Sequence, residues 1–141
     1  MTDDRAIAQA SASAMWAEDE ASRAIGMKIE EMGPGSAVLS MSVGQQMVNG
    51  HGLCHGGYIF MLADSAMAFA SSSRNQRTVA QQCQIAYLAP GRLGMRLIAD
   101  ARERHRGARS GIYDVTVRSE AGEVIAEFRG QTRTIAGHLV A

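Results

Sequence analysis

Gly56-Gly57-Tyr58-Ile59-Phe60-Met61-Leu62-Ala63-Asp64-Ser65-Ala66-Met67-Ala68-Phe69-Ala70-Ser71-Ser72 is the longest apolar stretch of the chain, and the fold follows from how it is read. Apolar residues fall on every side of a helix drawn through it, so the sequence predicts a helix buried nearly all round. Downstream the pattern switches to period two: Val79, Gln81, Cys83, Ile85 and Tyr87; Met95, Leu97 and Ala99; Tyr113, Val115 and Val117; Val124, Ala126 and Phe128. These predict four strands. The connections Ala89-Pro90-Gly91, Arg106-Gly107 and Glu120-Ala121-Gly122 are short and turn-like, which excludes long crossovers and implies an antiparallel sheet.

Upstream, Ala6, Ile7, Ala10, Ala14 and Met15 recur at helical spacing after Thr2, Asp3 and Asp4, predicting a helix over 3–24. Met27 and Ile29 then alternate with charge, Gly33-Pro34-Gly35 signals a turn, and residues 38–43 read as a strand. Residues 44–54, with Gly50 and Gly52, read as a loop. The expected order is helix, strand, buried helix, four strands. An α+β arrangement follows, with the antiparallel sheet holding the apolar helix on its concave face. At 141 residues one domain is expected, a flanking helical segment over 1–24 and a main body over 25–141.

Composition excludes several classes. With 46% hydrophobic and 20% charged residues the chain reads as globular, not disordered. No run of 18 apolar residues occurs, and the N-terminus has two acids before its first base, so neither a membrane span nor a secretory signal is expected. A cytoplasmic location with Cys54 and Cys83 as free thiols follows. The 14 bases balance 14 acids overall, but residues 1–64 carry −5 and residues 65–141 carry +5, with eleven arginines in the second part. Such arginines suit an anionic ligand, subunit contacts or plain surface. Nucleic acid is disfavoured as a partner: the arginines are interspersed with acids and few aromatics are available for stacking.

Asp64 is the only carboxylate in the apolar helix. An ionised group in a low-dielectric site costs several kcal/mol unless paired or solvated, so its presence points either to a structural hydrogen bond or to chemistry. At the start of the same helix stands His55-Gly56-Gly57. The first N–H groups of a helix lack internal partners and lie at the positive end of its dipole, so glycines there either permit a sharp turn or expose donors to a carbonyl oxygen gaining charge. Asp64 lies seven residues beyond Gly57, about 10 Å along the axis at 1.5 Å per residue. One chain's acid and donors are then too far apart to act on one carbonyl. Two chains related by a two-fold axis bring the donors of one to the acid of the other, so a homodimer with shared sites is expected.

The run from Asn49 to Ala66, with Asn49, His55-Gly56-Gly57 and Leu62-Ala63-Asp64-Ser65 in place, resembles the signature of the phenylacetate-pathway (PaaI-type) hotdog thioesterases. The similarity continues through residues 85–91, 104–107, 111–114 and 128–130. The resemblance implies a hotdog fold, hydrolysis of acyl- or aryl-CoA thioesters such as phenylacetyl-CoA or hydroxyphenylacetyl-CoA, no cofactor beyond the CoA of the substrate, and a homotetramer of two dimers. By the same resemblance Asp64 activates water or attacks directly, Gly56 and Gly57 face the carbonyl, Asn49 and His55 position the substrate, and Arg104, Arg106 and Gly107 lie near the CoA entrance. Two departures stand out. Ala86 and Ala89 replace a charged pair, and Ala80-Gln81-Gln82 lacks the water-orienting hydroxyl of some relatives, leaving Ser65 or a glutamine for that role.

Tyr58, Met61, Met67 and Phe69 are candidates for an acyl pocket, or for plain core. Rival chemistries are a nucleophilic Cys54 beside His55, and a metal held by His51, Cys54 and His55. Adjacent residues seldom aim at each other, and three ligands without a fourth make a weak zinc signal, so no metal is expected. A non-catalytic acyl-CoA-binding protein and a hotdog dehydratase or hydratase are the remaining alternatives.

Overall fold

The computed structural model describes residues 3–141; Met1 and Thr2, which open the expected N-terminal segment, lie outside the described residues. The predicted helix over 3–24 is two helices, α1 (Asp4–Glu18) and α2 (Glu20–Ala24). The break is at Asp19, whose backbone leaves the helical region at φ −91° and ψ 78° and whose carboxylate accepts from the Ser22 N–H at 3.0 Å. Aspartate competes with the helix for backbone donors, so a second cap outweighs one more helical bond.

Two strands, not one, precede the loop: β1 (Lys28–Gly33) and β2 (Ser36–Ser42), joined at Pro34-Gly35, where Gly35 takes φ +72°. In the sequence β1 is obscured because it is an edge strand with charged residues outward and a bulge between Ile29 and Glu31 that breaks the period of two. Then come α3 (Gly56–Ser71), β3 (Thr78–Tyr87), β4 (Arg96–Arg106), β5 (Ser110–Ser119) and β6 (Val124–Thr134), so the four later strands fall where expected.

The six strands form one antiparallel sheet in the order β1-β2-β4-β5-β6-β3. Hairpins join β4, β5 and β6, but β3 and β4 are not neighbours despite their short connection. Residues 88–95 instead carry the chain across the end of the sheet. The N–H groups of Leu88 and Ala89 both donate to the Ile125 carbonyl (2.8 and 3.2 Å) and pin that crossing to the start of β6. A short connection therefore gave the right sense of the sheet but not its pairing.

Helix α3 lies on one face of this sheet, the hotdog arrangement. Leu62, Ala63, Ala66, Met67 and Ala70 are buried with Leu39, Met41, Leu97, Ala99, Ala101, Val115, Val117, Ala126 and Phe128. Full burial of each large side chain contributes roughly 1.5–3 kcal/mol. Alanines on β4 let the helix approach closely, and a Cβ on Gly130 would collide with Met67 Sδ. On the other side of α3, Trp16 of α1 meets Phe69, ring centroids 6.2 Å apart.

The helix is not buried all round within one chain. Gly57 is exposed, and Phe60, Met61, Asp64 and Ala68 are half-buried along one stripe. β3 is also bare along its outer edge: its ten residues, TVAQQCQIAY, contain no charge and no proline. Natural sheets normally protect such an edge with charge, proline or a cover.

Candidate active site

Asp64 sits on the uncovered stripe of α3. Burial raises its pKa above the usual carboxylate range, and no neighbouring charge or hydrogen bond offsets that effect. Cys83 on β3 has its thiol pushed up first by burial and then by the Asp64 charge, so the two groups lie within electrostatic reach. The acid is therefore desolvated and has no ion-pair or hydrogen-bond partner among the described residues.

The glycine turn is built from the loop before α3. Asn49 Oδ1 accepts the N–H groups of His51 (2.9 Å) and Leu53 (3.2 Å), and the His55 N–H donates to the Met47 carbonyl at 2.8 Å. These bonds fix the loop, and the Asn49 side-chain amide donates to no described residue. His55 is the exposed N-cap of α3 and supplies no side-chain cap; its carbonyl accepts from the Tyr58 N–H at 3.0 Å. The N–H groups of Gly56 and Gly57, in the first turn, have no helical acceptor. A Cβ on Gly57 would meet nothing within 4 Å, so packing inside this chain does not require glycine there. At Gly56 it would strike the Tyr87 ring at 2.8 Å.

Other expected site residues are placed differently. The Ser65 hydroxyl lies 3.1 Å from that of Ser22 on α2, so it supports the fold beside Asp64. Arg104 ion-pairs with Asp114 at 3.3 Å, alongside the Arg129–Asp114 pair at 2.6 Å. Arg106 and Gly107 instead line a polar cavity of about 130 Å³ with Ser71, Arg74 and Thr132. That cavity is at the C-terminal end of α3, opposite the glycine turn; 16 residues at 1.5 Å make the helix about 24 Å long. Within one chain the arginine hairpin and the glycines are not brought together.

Met67 and Phe69 are core at 1% exposure, while Tyr58 and Met61 stay half-buried and accessible. Cys54 is buried, its thiol raised by burial and directed at the His55 carbonyl at 3.5 Å, not at the imidazole. That environment makes a poor nucleophile. Both cysteines are free thiols. Among the described residues no group of three or more His, Cys, Asp or Glu could hold a metal ion, and no helix is long and apolar enough to cross a membrane. Reading the sequence missed two residues, Cys83, which feels the Asp64 charge, and Tyr87 over Gly56. Their shared parity on β3 was the available signal.

An antiparallel hotdog sheet holding a helix with a desolvated acid and a glycine-opened N-terminus is the arrangement that the sequence resemblance implied. The sequence pattern of the thioesterase superfamily matches residues 51–126. The acyl-coenzyme A thioesterase PaaI of Escherichia coli is 42% identical over 126 residues, covering 89% of this chain and 90% of that protein. The solved structure of the E. coli PaaI protein from the phenylacetic acid degradation operon superposes with a TM-score of 0.95 at 40% identity, covering 96% and 99% of the two chains. A Streptococcus mutans protein bound to acetyl CoA matches with a TM-score of 0.77 at 28% identity, covering 80% and 91%. The chain belongs to the thioesterase superfamily, as a PaaI-type hotdog acyl-CoA thioesterase.

Proposed function

We propose that the chain hydrolyses aryl- or acyl-CoA thioesters of the phenylacetyl-CoA or hydroxyphenylacetyl-CoA type to the free acid and CoA, at sites shared between two copies. The observation that carries this reading is that, among the described residues, half-buried Asp64 has no partner and the Gly57 N–H, two helical turns away, has no acceptor. Each needs what a second copy supplies. The uncharged, unpaired edge of β3 supports pairing edge to edge, which lays the exposed stripes of two α3 helices side by side. Two such dimers then make the tetramer.

In the composite site the thioester oxygen accepts from the Gly57 N–H, with the Gly56 N–H beside it, at the positive end of the helix dipole. The carbonyl carbon becomes more electrophilic. Asp64 of the partner subunit either takes a proton from water, which adds to that carbon, or adds itself to give a mixed anhydride that water later opens. Collapse of the tetrahedral intermediate expels CoA thiolate, a good leaving group that needs no strong acid. No step calls for a metal or further cofactor. His55 and the Asn49 amide flank the carbonyl, and Tyr58 and Met61 border the acyl group. Arg106, which makes no salt bridge to any described residue, suits a CoA phosphate better than Arg104, already held by Asp114. A reducing, cytoplasmic setting fits the free thiols.

Mixed oligomers test the shared site. An Asp64→Ala chain combined with a Gly57→Val chain should regain activity, because one of the two composite sites then has both groups intact. No recovery after confirmed subunit exchange would falsify the shared site. A panel of CoA thioesters followed by thiol release tests the substrate class; equal or better turnover of straight-chain acyl groups would displace the aryl reading. Single turnover in ¹⁸O water tests for the anhydride route: label in Asp64 requires an anhydride that water opens at the Asp64 carboxyl carbon.

A further inference from the structure

We infer that Tyr87 is a positioning residue for the substrate carbonyl: its hydroxyl holds, from behind, the peptide unit whose N–H faces the thioester. The inference rests on the reading of the Gly57 N–H as an oxyanion donor. Tyr87 donates to the Gly56 carbonyl at 2.8 Å. That carbonyl and the Gly57 N–H belong to one planar peptide unit and point in opposite directions. A bond that fixes the oxygen therefore fixes the direction of the N–H.

The site has particular need of such a hold. Gly56-Gly57 is the most conformationally permissive dipeptide a helix start can carry, and the His55 side chain does not cap it. Tyr87 adds, from the sheet, a second hold on a carbonyl that as the first of α3 also accepts within the helix. Its ring also covers Gly56 so closely that a Cβ there would come within 2.8 Å of Cζ and 2.9 Å of Oη, whereas the same test at Gly57 finds open space. The two glycines thus serve different ends, Gly56 to admit Tyr87 and Gly57 to admit an outside group.

The strand end bearing Tyr87 is itself anchored. Leu88 and Ala89 donate to Ile125, and Gly91 accepts from the Cys54 N–H at 2.7 Å, tying this crossing to the loop that leads into α3. The hydroxyl also polarises the peptide. A donor on the Gly56 oxygen draws electron density through the amide and makes the Gly57 N–H a stronger donor. The effect is largest when the substrate oxygen becomes an oxyanion, so it acts on turnover more than on binding.

Tyr87→Phe keeps the ring against Gly56 and removes only the hydroxyl. The expected result is a fall in kcat of about three- to tenfold with KM and melting temperature nearly unchanged. A second readout uses an acyl-CoA labelled with ¹³C at its carbonyl and bound to the Asp64→Asn protein, where turnover is blocked. Its infrared carbonyl band should lie below that of the free thioester, and part of that displacement should disappear when Tyr87→Phe is added. An unchanged kcat, or an unchanged band position, in Tyr87→Phe overturns the inference. No displacement even with Tyr87 present overturns the oxyanion reading beneath it, and the inference with it.

Discussion

The hydroxyls of Ser22 and Ser65 lie 3.1 Å apart, joining α2 to the turn of α3 that carries Asp64. Ser22 is 1% exposed, so this bond is made where water cannot easily replace it. With the Trp16–Phe69 contact one turn further along, it makes the N-terminal helices a brace for α3. Each hydroxyl has a single proton, so whichever serine donates across this contact has none left for a water at Asp64.

Replacing Ser22 or Ser65 by alanine should each lower unfolding free energy by about 1 kcal/mol, and the double variant should lose clearly less than the sum. Urea denaturation of the four proteins measures the coupling. Strict additivity would show that the two hydroxyls do not interact.

Asp64→Asn should abolish most turnover, by roughly a hundredfold or more. Because burial raises the native pKa of Asp64, the native state holds that proton more tightly than the unfolded chain does. The stability linked to that proton is present below the unfolded-state pKa and is lost as pH rises through the native one. The variant should therefore melt higher than the parent at neutral pH and lose this advantage in acid. In the parent, the acid limb of kcat/KM should fall above the ordinary carboxylate range. A thermal gain that persists unchanged at low pH would contradict the desolvation account.

The two ends of the Asn49 side chain can be tested apart. Asn49→Ala removes the acceptor of two loop N–H groups and should lower stability by roughly 1–2 kcal/mol. Asn49→Asp keeps that acceptor but replaces the free amide donor with an anionic oxygen. It should melt close to the parent and lose at least about tenfold in kcat/KM. If both variants lose stability and activity in step, Asn49 has no role beyond the loop.

Lysines at the bare edge should disturb assembly. Gln82→Lys with Gln84→Lys puts like charges on a strand that would face its own copy, a destabilising juxtaposition across paired strands. Sedimentation should show a dimer weakened by about tenfold, and activity should fall with protomer concentration in the same range. Full activity from a monomer would end the shared-site mechanism.

The sequence by itself determined the helix, the four later strands, the antiparallel sense and the presence of a lone acid and a glycine-opened start on one helix. Each is written in local periodicity, or in a residue whose burial has no cheap explanation. It did not reveal the break at Asp19, the separate strand β1, or the route of β3 to the far edge beside β6. A side-chain cap, a bulge and a crossing over the end of a sheet leave little trace in hydrophobic spacing. Only the tertiary structure decided that Ser65 answers to Ser22, that Arg104 is occupied by Asp114, and that Tyr87 stands over Gly56. Those are meetings between residues 10 to 43 positions apart. Chain spacing carries no information about which side chain a folded neighbour presents.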